Sequence, residues 1–199
     1  RIIGGMTKES TRKAQEVYRI FVEGDLLATN SRTAEMAKLT ENASRDVSIA
    51  FANELSIISD KLDINVWELI ELANHHPRVN ILQPGAGVGG HCIPIDPIFL
   101  SWYMKNKNYK SKIIEISSTL NSSMPNWVSN QIFRHLRKNK IKTKKVLLVG
   151  LAYKKNTADT RESPSLDILR KLIDKKFKVE FYDPYVKELI TDQGWMIMP

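Results

Sequence analysis

One segment constrains the fold of this chain more than any other, because residues 33–62 keep a helical period without a single Gly or Pro. Its apolar positions recur every three to five residues at Leu39, Ala43, Val47, Ala50, Leu55, Ile58 and Leu62. At 1.5 Å per residue, a helix of about 30 residues is ~45 Å long. Such a helix usually crosses a domain boundary or packs in a dimer.

The rest of the first two thirds of the chain is also predominantly helical by its pattern. Asn65 suits the N-cap of the next helix, with Glu68 at the position that completes a capping box, and Pro97 suits a first helical turn. Helices are predicted over 7–23, 65–75, from Pro97 through Tyr103, and near 111–121 and 125–139. One short strand is predicted from Leu26 to Thr29.

After Lys145 the period changes to alternating strands and helices. Strands are predicted at Val146–Val149 and Lys178–Tyr182, and helices from Ser163 to about Lys176 and from Val186 to Asp192. Strand, helix, strand is the unit of a parallel sheet. The fold class is therefore α/β, a helical middle domain followed by part of a Rossmann-like domain. The turn after the first strand lacks the Gly-x-Gly-x-x-Gly dinucleotide fingerprint.

The charge balance leaves two classes of function open. A net charge of +8 favours acidic partners, and much of the excess lies in the run Arg137–Lys145. Without interleaved aromatic residues, that run is best interpreted as a solvated connector. A basic helical module that binds nucleic acid is the alternative, and it predicts salt-sensitive binding.

Composition excludes some other classes of protein. No apolar stretch approaches the roughly 18 residues that span a bilayer, so we expect a cytoplasmic protein without membrane contact. Cys92 is the single cysteine, which excludes an internal disulfide. The four histidines lack ligand spacing, so no metal site is expected.

The two ends of the chain resemble the edges of larger domains. Residues 1–5 read as the end of a strand leaving a domain, and residues 194–199 as an apolar run that begins another strand. We therefore expect a piece of a longer protein.

A glycine-rich loop, residues 84–97, carries the strongest chemical signal. Four glycines in six residues let the backbone approach a ligand closely, and Cys92 and then Asp96 follow them. A thiol near a helix N-terminus or a cation is a better nucleophile. Taken singly, Cys92 could be an inert buried side chain and Asp96 a helix cap. Their joint placement on this loop favours catalysis.

This loop resembles the active-site loop of the UDP-glucose/GDP-mannose dehydrogenase family, in which a glycine run precedes Cys and an Asp lies four residues later. The segment Ala34–Ala43, with Lys38 and Asn42, is similar to the family's catalytic helix. The segment Gly150–Pro164 is similar to the loop that opens the family's nucleotide-sugar domain. The three motifs occur in order and cover nearly the whole chain.

The resemblance implies a division of the chain into three parts. Residues 1–30 would be the end of an NAD-binding domain, 31–124 a central dimerisation domain, and 125–199 the start of a sugar-nucleotide domain. Because most of the NAD-binding domain would be missing, we expect that this piece by itself would not reduce NAD.

The resemblance implies oxidation of a sugar C6 alcohol to a carboxylate with two NAD molecules. Cys92 would add to the aldehyde and then carry a thioester. Lys38 and Asn42, one helical turn apart, would stabilise the alkoxide. Asp96 would position or activate the hydrolytic water. The bland alternative for Lys38 and Asn42 is a solvated helix face.

The resemblance also implies binding residues and an assembly. Arg78 would reach the substrate of a neighbouring subunit, which implies a homodimer or higher homo-oligomer through the central helices. Arg161 would meet the NAD pyrophosphate. The residues that would contact the UDP-sugar are Arg45, His76, Gly89, Tyr153 and Lys154.

Two further segments, 65–69 and 76–82, favour the branch of the family that acts on UDP-N-acetyl-D-mannosamine. His91 fits that branch, and Ile95 replaces the Lys usual in UDP-glucose enzymes. Ala86 departs from the Pro often seen in the loop. UDP-N-acetylglucosamine remains an alternative substrate, because no motif distinguishes the epimers at C2. UDP-glucose is a second alternative, which Ile95 makes less favoured.

Overall fold

The computed structural model describes residues 1–191 and 194–197 of the chain. The chain divides into two compact units, Arg1–Ser44 and Arg45–Pro199. Helices dominate its first two thirds and short strand pairs lie near both ends, which agrees with the α/β class predicted from the sequence.

The first unit opens with a parallel strand–helix–strand arrangement. Strand β1 (Ile2–Gly5) pairs in parallel with β2 (Leu27–Asn30), and α1 (Lys8–Tyr18) connects them. Thr7 caps α1 through a reciprocal bond with Ser10. The prediction over 7–23 placed the end of α1 too late. The chain leaves the helix through tight turns whose N–H groups bond three residues back, as Ile20 does to the Val17 carbonyl.

Helix α2 (Ser31–Leu62) has 32 residues and confirms the long helix predicted from the sequence. Asp63, with φ of 56°, ends it in a left-handed conformation. The Asn65 side chain then accepts the N–H groups of Trp67 and Glu68 and so caps α3 (Val66–Ala73), which confirms the predicted N-cap. The reciprocal bond from Glu68 that would complete a capping box is not present in the described part of the chain.

Helix α4 (Asp96–Lys105) begins at Asp96 and places Pro97 in its first turn. Ile95, which has no side-chain hydrogen bond to offer, stands at the N-cap. The interpretation of Asp96 as a helix cap is therefore wrong.

Helix α5 (Lys112–Lys138) is one continuous helix, so the prediction of two helices near 111–121 and 125–139 is wrong. Pro125 lies inside it and cannot donate an N–H to the carbonyl of Asn121. The helix continues because residues on both sides of the proline are fixed by burial, including Asn121, Met124 and Ser129. Tertiary packing here overrides the local preference of proline.

A parallel pair of strands dominates the end of the chain. Strand β3 (Lys145–Val149) pairs with β4 (Lys178–Tyr182), and α6 (Pro164–Asp174) lies between them in sequence. This confirms the predicted strand–helix–strand unit. A buried apolar cluster fills the space between sheet and helix: Leu151, Ile168, Leu169, Leu172, Val179, Phe181 and Val186.

The helix predicted from Val186 to Asp192 is wrong over its described part. Glu188–Thr191 forms strand β5, which pairs antiparallel with β6 (Gly194–Ile197), while residue 192 lies outside the described residues. The Leu189-Ile190-Thr191 run suits a strand, and the apolar run at 195–197 supplies its partner. The strand expected in that second run is confirmed for β6.

The basic run Arg137–Lys145 is exposed and joins α5 to β3, as the solvated-connector interpretation predicted. Within the described residues, no helix is both long and apolar enough to cross a membrane.

Candidate active site

Cys92 is exposed and lies in the turn that leads into α4. Its carbonyl accepts the N–H groups of Asp96 at 2.8 Å and of Ile95 at 3.2 Å. These bonds fix the backbone of the cysteine against the start of the helix. An inert buried cysteine is excluded, and the thiol is open to reagents and substrates.

The glycines before Cys92 allow an unusually close contact with the loop that follows β3. A Cβ on Gly89 would lie 2.7 Å from the Tyr153 Cβ, and one on Gly90 would lie 2.7 Å from the Tyr153 ring. Gly90 also has φ of 85° and donates its N–H to the Arg161 carbonyl at 3.1 Å. The structure therefore brings the cysteine loop and the Gly150–Pro164 loop together.

Tyr153 and Lys154 lie at the centre of this contact. The Tyr153 N–H bonds to the Asp159 carbonyl at 3.0 Å, which closes the loop on itself. The Lys154 ammonium lies 5.3 Å from the centroid of the Tyr153 ring, within range of a cation–π interaction. An aromatic ring and a cation thus stand beside the cysteine loop, a combination suited to a base and a phosphate.

Arg161 is held in a fork by Asp159. Its Nε lies 2.9 Å from Asp159 Oδ1, and its Nη2 lies 2.6 Å from Oδ2. The hydrogen bonds from Arg161 lower the pKa of Asp159 to about 2. The Arg161 side chain is 66% exposed, so the carboxylate occupies the position in which a phosphate oxygen could bind.

Replacing Asp159 with Asn should strengthen pyrophosphate binding at Arg161 by roughly two- to fivefold, the range of an exposed ion pair. The amide oxygen still accepts a guanidinium N–H, while the competing charge is removed. Isothermal titration with inorganic pyrophosphate measures the affinity. Asp167→Asn is the matched control, since Asp167 also pairs with an exposed arginine, Arg170. If Asp159→Asn bound pyrophosphate more weakly, or if Asp167→Asn gained as much affinity, Asp159 would not compete with pyrophosphate for Arg161.

Asp183 fixes the start of the same loop and was missed in the sequence. It is 3% exposed at the end of β4. One carboxylate oxygen accepts the N–H groups of Leu151 and Ala152, and the other accepts those of Tyr185 and Val186. Burial raises the pKa of Asp183, but the four backbone donors outweigh burial and lower it below its usual value.

A second group missed in the sequence lies on α2 and α5. Asp46, Asn53 and Asn121 are buried and hydrogen-bonded to each other in series. Burial raises the pKa of Asp46, against the opposing effect of hydrogen bonds from Asn121 and Ser118. Positions 46 and 53 continue the spacing of Ala43 and Ala50, so polar residues inside an apolar helical stripe were the signal.

Lys38 and Asn42 lie on α2 within the first unit. The Lys38 ammonium is 3.5 Å from Asn42 Oδ1 and 3.1 Å from Glu41 Oε2. Lys38 is 65% exposed, whereas Asn42 is 2% exposed. The two side chains thus lie next to each other, and the burial of Asn42 excludes a fully solvated helix face.

The remaining predicted substrate residues lie on exposed surfaces. Arg45 is exposed on α2, and His76 and Arg78 are exposed on the loop after α3. The Asn74 side chain closes that loop by bonding both the N–H and the carbonyl of Ile81. Across residues 1–191 and 194–197, the Arg78 side chain makes no hydrogen bond or ion pair, so it is available to a partner molecule.

In the part of the chain that the structure describes, no three His, Cys, Asp or Glu side chains are grouped to hold a metal ion.

Comparison with known families places both halves of the chain. Residues 32–123 match the central domain of the UDP-glucose/GDP-mannose dehydrogenase family. Residues 147–195 match the UDP binding domain of the same family. These two matches together cover most of the chain and include each of the three motifs.

Relatives and solved structures agree with this placement. A UDP-N-acetyl-D-mannosamine dehydrogenase of Campylobacter jejuni is 52% identical over 95% of this chain and 46% of its own length. An NDP-N-acetyl-D-galactosaminuronic acid dehydrogenase of Ralstonia solanacearum is 46% identical over 95% of this chain and 44% of its own. The structure of the UDP-D-ManNAc dehydrogenase of Pyrococcus horikoshii is 44% identical, with a TM-score of 0.86 over 94% of this chain and 44% of that one.

The chain thus spans less than half the length of the relatives it matches. Two domains of one family follow each other in the expected order, and the glycine loop with Cys92 lies in the first of them. This chain belongs to the UDP-glucose/GDP-mannose dehydrogenase family.

Proposed function

We propose that this protein oxidises C6 of UDP-N-acetyl-D-mannosamine from a primary alcohol to a carboxylate, in a four-electron reaction that uses NAD. The observation that carries the proposal is the exposed Cys92 beside a loop that presents an aromatic ring and two cations. Relatives named UDP-N-acetyl-D-mannosamine dehydrogenase, 46–52% identical to this chain, support the choice of sugar.

One residue of this chain, Arg161, suits the binding of NAD. The exposed Arg161 already binds a carboxylate through two N–H groups, a geometry that also suits a pyrophosphate. We infer that Arg161 would hold that group of the cofactor. When bound, NAD would supply the capacity to remove two electrons from C6 in each of two oxidations.

Cys92 performs the step that links the two oxidations. An aldehyde has no hydroxyl from which a second oxidation can start, so the Cys92 thiolate adds to its carbonyl carbon and the oxygen gains a proton. The resulting thiohemiacetal carries a new C6 alcohol. Its oxidation leaves a thioester, which water cleaves to the carboxylate and the free thiol. Sulfur suits both steps as a strong nucleophile and a good leaving group.

Lys38 and Asn42 are assigned to the oxygen on C6. A cation and an amide donor from successive turns of one helix would stabilise an alkoxide and help move its proton. Asp96, whose N–H is tied to the Cys92 carbonyl, would position or activate the water that cleaves the thioester.

The binding residues are assigned from the resemblance of their segments to those of the family. Tyr153 and Lys154 would contact the UDP-sugar together with Gly89, whose lack of a side chain keeps the loop close. Arg45 and His76 would complete its contacts. Arg78 would reach the site of a neighbouring subunit, so a homodimer or higher homo-oligomer through the central helices forms part of the proposal.

The proposed division of the chain follows these roles. Residues 1–30 would end an NAD-binding domain, 31–124 form the central and dimerisation domain, and 125–199 begin the UDP-sugar domain. We place the activity in the cytoplasm, where reducing conditions keep a catalytic thiol such as Cys92 free.

A second substrate has its own support. The Ralstonia solanacearum relative, 46% identical to this chain, is named for an N-acetyl-D-galactosaminuronic acid. UDP-N-acetylgalactosamine is therefore a candidate, beside UDP-N-acetylglucosamine and UDP-glucose. All would use the same cysteine chemistry, because they differ only in the sugar ring.

Protection of Cys92 from alkylation tests the binding part of the proposal on this chain. UDP-N-acetyl-D-mannosamine should slow the reaction of Cys92 with iodoacetamide by roughly tenfold at saturation, since a bound sugar covers the thiol. An oligonucleotide should give no protection. Protection by the oligonucleotide alone would instead support a nucleic-acid-binding module and overturn the enzyme.

A chimera tests the reaction itself. The chain replaces the matching 46% of the Campylobacter jejuni relative, and NADH formation is followed with each of the four UDP-sugars. The highest kcat/KM is expected with the N-acetylmannosamine substrate, and the unaltered relative is the control. A preference for another sugar would identify that sugar as the substrate instead.

A further inference from the structure

The glycine loop is attached at its entrance to a buried amide. The Gly85 N–H donates to Asn53 Oδ1 at 2.8 Å. Asn53 is completely buried on α2, whereas Gly85 is exposed, so this bond ties a surface loop to the protein interior. It holds the first glycine of the loop that leads to Cys92.

Behind Asn53, a directional series of hydrogen bonds continues into the protein. Asn53 Nδ2 donates to Asn121 Oδ1 at 2.9 Å. Asn121 Nδ2 donates in turn to Asp46, at 2.7 Å to Oδ1 and 3.0 Å to the carbonyl. Ser118 donates to the other carboxylate oxygen of Asp46 at 2.9 Å.

The direction of this series follows from the chemistry of Asp46. The backbone carbonyl of Asp46 can only accept hydrogen bonds, so Asn121 must turn its NH₂ toward Asp46 and its oxygen toward Asn53. Asn53 must then turn its NH₂ toward Asn121. The one amide oxygen left faces the glycine loop, and it accepts the Gly85 N–H.

The same helix touches the loop at a second point. Because residue 125 is proline, the Asn121 carbonyl lacks its helical N–H donor. That carbonyl lies 3.1 Å from where a Cβ on Gly87 would stand, and Gly87 has φ of 130°. The backbone of Asn121 therefore limits the space around Gly87 in the glycine loop. The side chain of Asn121 orients Asn53.

We propose that Asn53 is a positioning residue for Cys92, and that Asp46 and Asn121 set the orientation in which its amide anchors the glycine loop. The inference rests on the proposed function, since the position of Cys92 matters because its thiol attacks the substrate. Asn53 itself touches the loop backbone and not the reacting atoms.

The test compares two variants of the full chain. Asn53→Leu removes the acceptor of the Gly85 N–H, so amide hydrogen exchange at Gly85 should be roughly tenfold faster. UDP-N-acetyl-D-mannosamine should then protect Cys92 from iodoacetamide roughly fivefold less. Asn74→Asp is the matched control. The Asn74 side chain holds Ile81, in the loop that follows α3, by the same kind of hydrogen bond. This control should leave the exchange of Gly85 unchanged.

A second pair of variants separates positioning from a general structural role. In Asn53→Asp the carboxylate can still accept the Gly85 N–H, but it has no NH₂ to donate to the Asn121 oxygen that it faces, so the loop should loosen. Asp46→Asn is the comparison, because its backbone carbonyl and amide oxygen still accept from Asn121 and the series keeps its direction. Gly85 exchange in Asp46→Asn should therefore stay within about threefold of that in the natural chain.

The outcomes distinguish this inference from the proposed function. If the natural chain shows no protection of Cys92 by any UDP-sugar, the proposed function fails. If it is protected, and folded Asn53→Leu keeps both the slow exchange of Gly85 and the protection, the positioning role is overturned. Gly85 exchange as slow in Asn53→Asp as in the natural chain, or as fast in Asp46→Asn as in Asn53→Asp, would also overturn the directional series.

Discussion

Replacing Cys92 with serine in the chimera should remove nearly all conversion of the UDP-sugar to its uronate. We expect kcat to fall by roughly 10³ or more, as for loss of a covalent nucleophile. A serine hydroxyl without an activating base adds slowly to an aldehyde. Any oxygen ester that it formed would also hydrolyse more slowly than a thioester.

The decisive measurement is product formation together with binding. Uronate is quantified by chromatography, and the dissociation constant of UDP is measured by titration, which should stay within about twofold if the fold is intact. Asp96→Asn is a useful comparison, since it should slow thioester cleavage and let acylated Cys92 accumulate in a mass spectrum. If the Cys92→Ser chimera formed the acid as fast as the chimera with Cys92, the thioester route would be disproved.

Replacing Asp183 with alanine should cost about 3–5 kcal/mol of unfolding free energy, as for removal of a buried, multiply bonded charge. Four backbone N–H groups, two of them on the loop that carries Tyr153, would lose their acceptor. Urea unfolding followed by circular dichroism measures the loss. Asp174→Ala removes an exposed carboxylate from α6 and should change stability by no more than about 0.5 kcal/mol.

The same carboxylate predicts a pH dependence with a defined sign. The pKa of Asp183 is lowered in the folded chain relative to the usual value of 3.8. Its contribution is therefore fully present above that value and is lost as pH falls through the lower, folded value. Asp183→Asn should flatten the decline of the urea midpoint below about pH 4. An unchanged decline would show that other acids cause it.

The features that were predictable from the sequence are local ones. The glycines, Cys92 and Asp96 lie within a few residues of each other, so their chemistry could be recognised without the fold. The four-residue spacing of Lys38 and Asn42 was enough to bring their side chains together. The strand–helix–strand order after Lys145 followed from a change of period that needs no long-range information.

The features that were not predictable depend on distant partners. Strand β5 forms because β6 is available to pair with it. The helical periodicity of residues 186–192 could not take that partner into account. Helix α5 passes through Pro125 because its neighbours are buried. The Asp46–Asn121–Asn53 series joins residues up to 75 positions apart, and only the folded chain shows which amide faces which.

The contact between Gly90 and Tyr153 restricts how this protein can diverge or be redesigned. A methyl group at Gly90 would stand 2.7 Å from the aromatic ring and require a backbone conformation that other residues avoid. A change in the glycine loop therefore has to fit the loop after β3, and the reverse also holds. An engineer who exchanges one of them for a homologue's version, to alter sugar preference, must exchange the other with it.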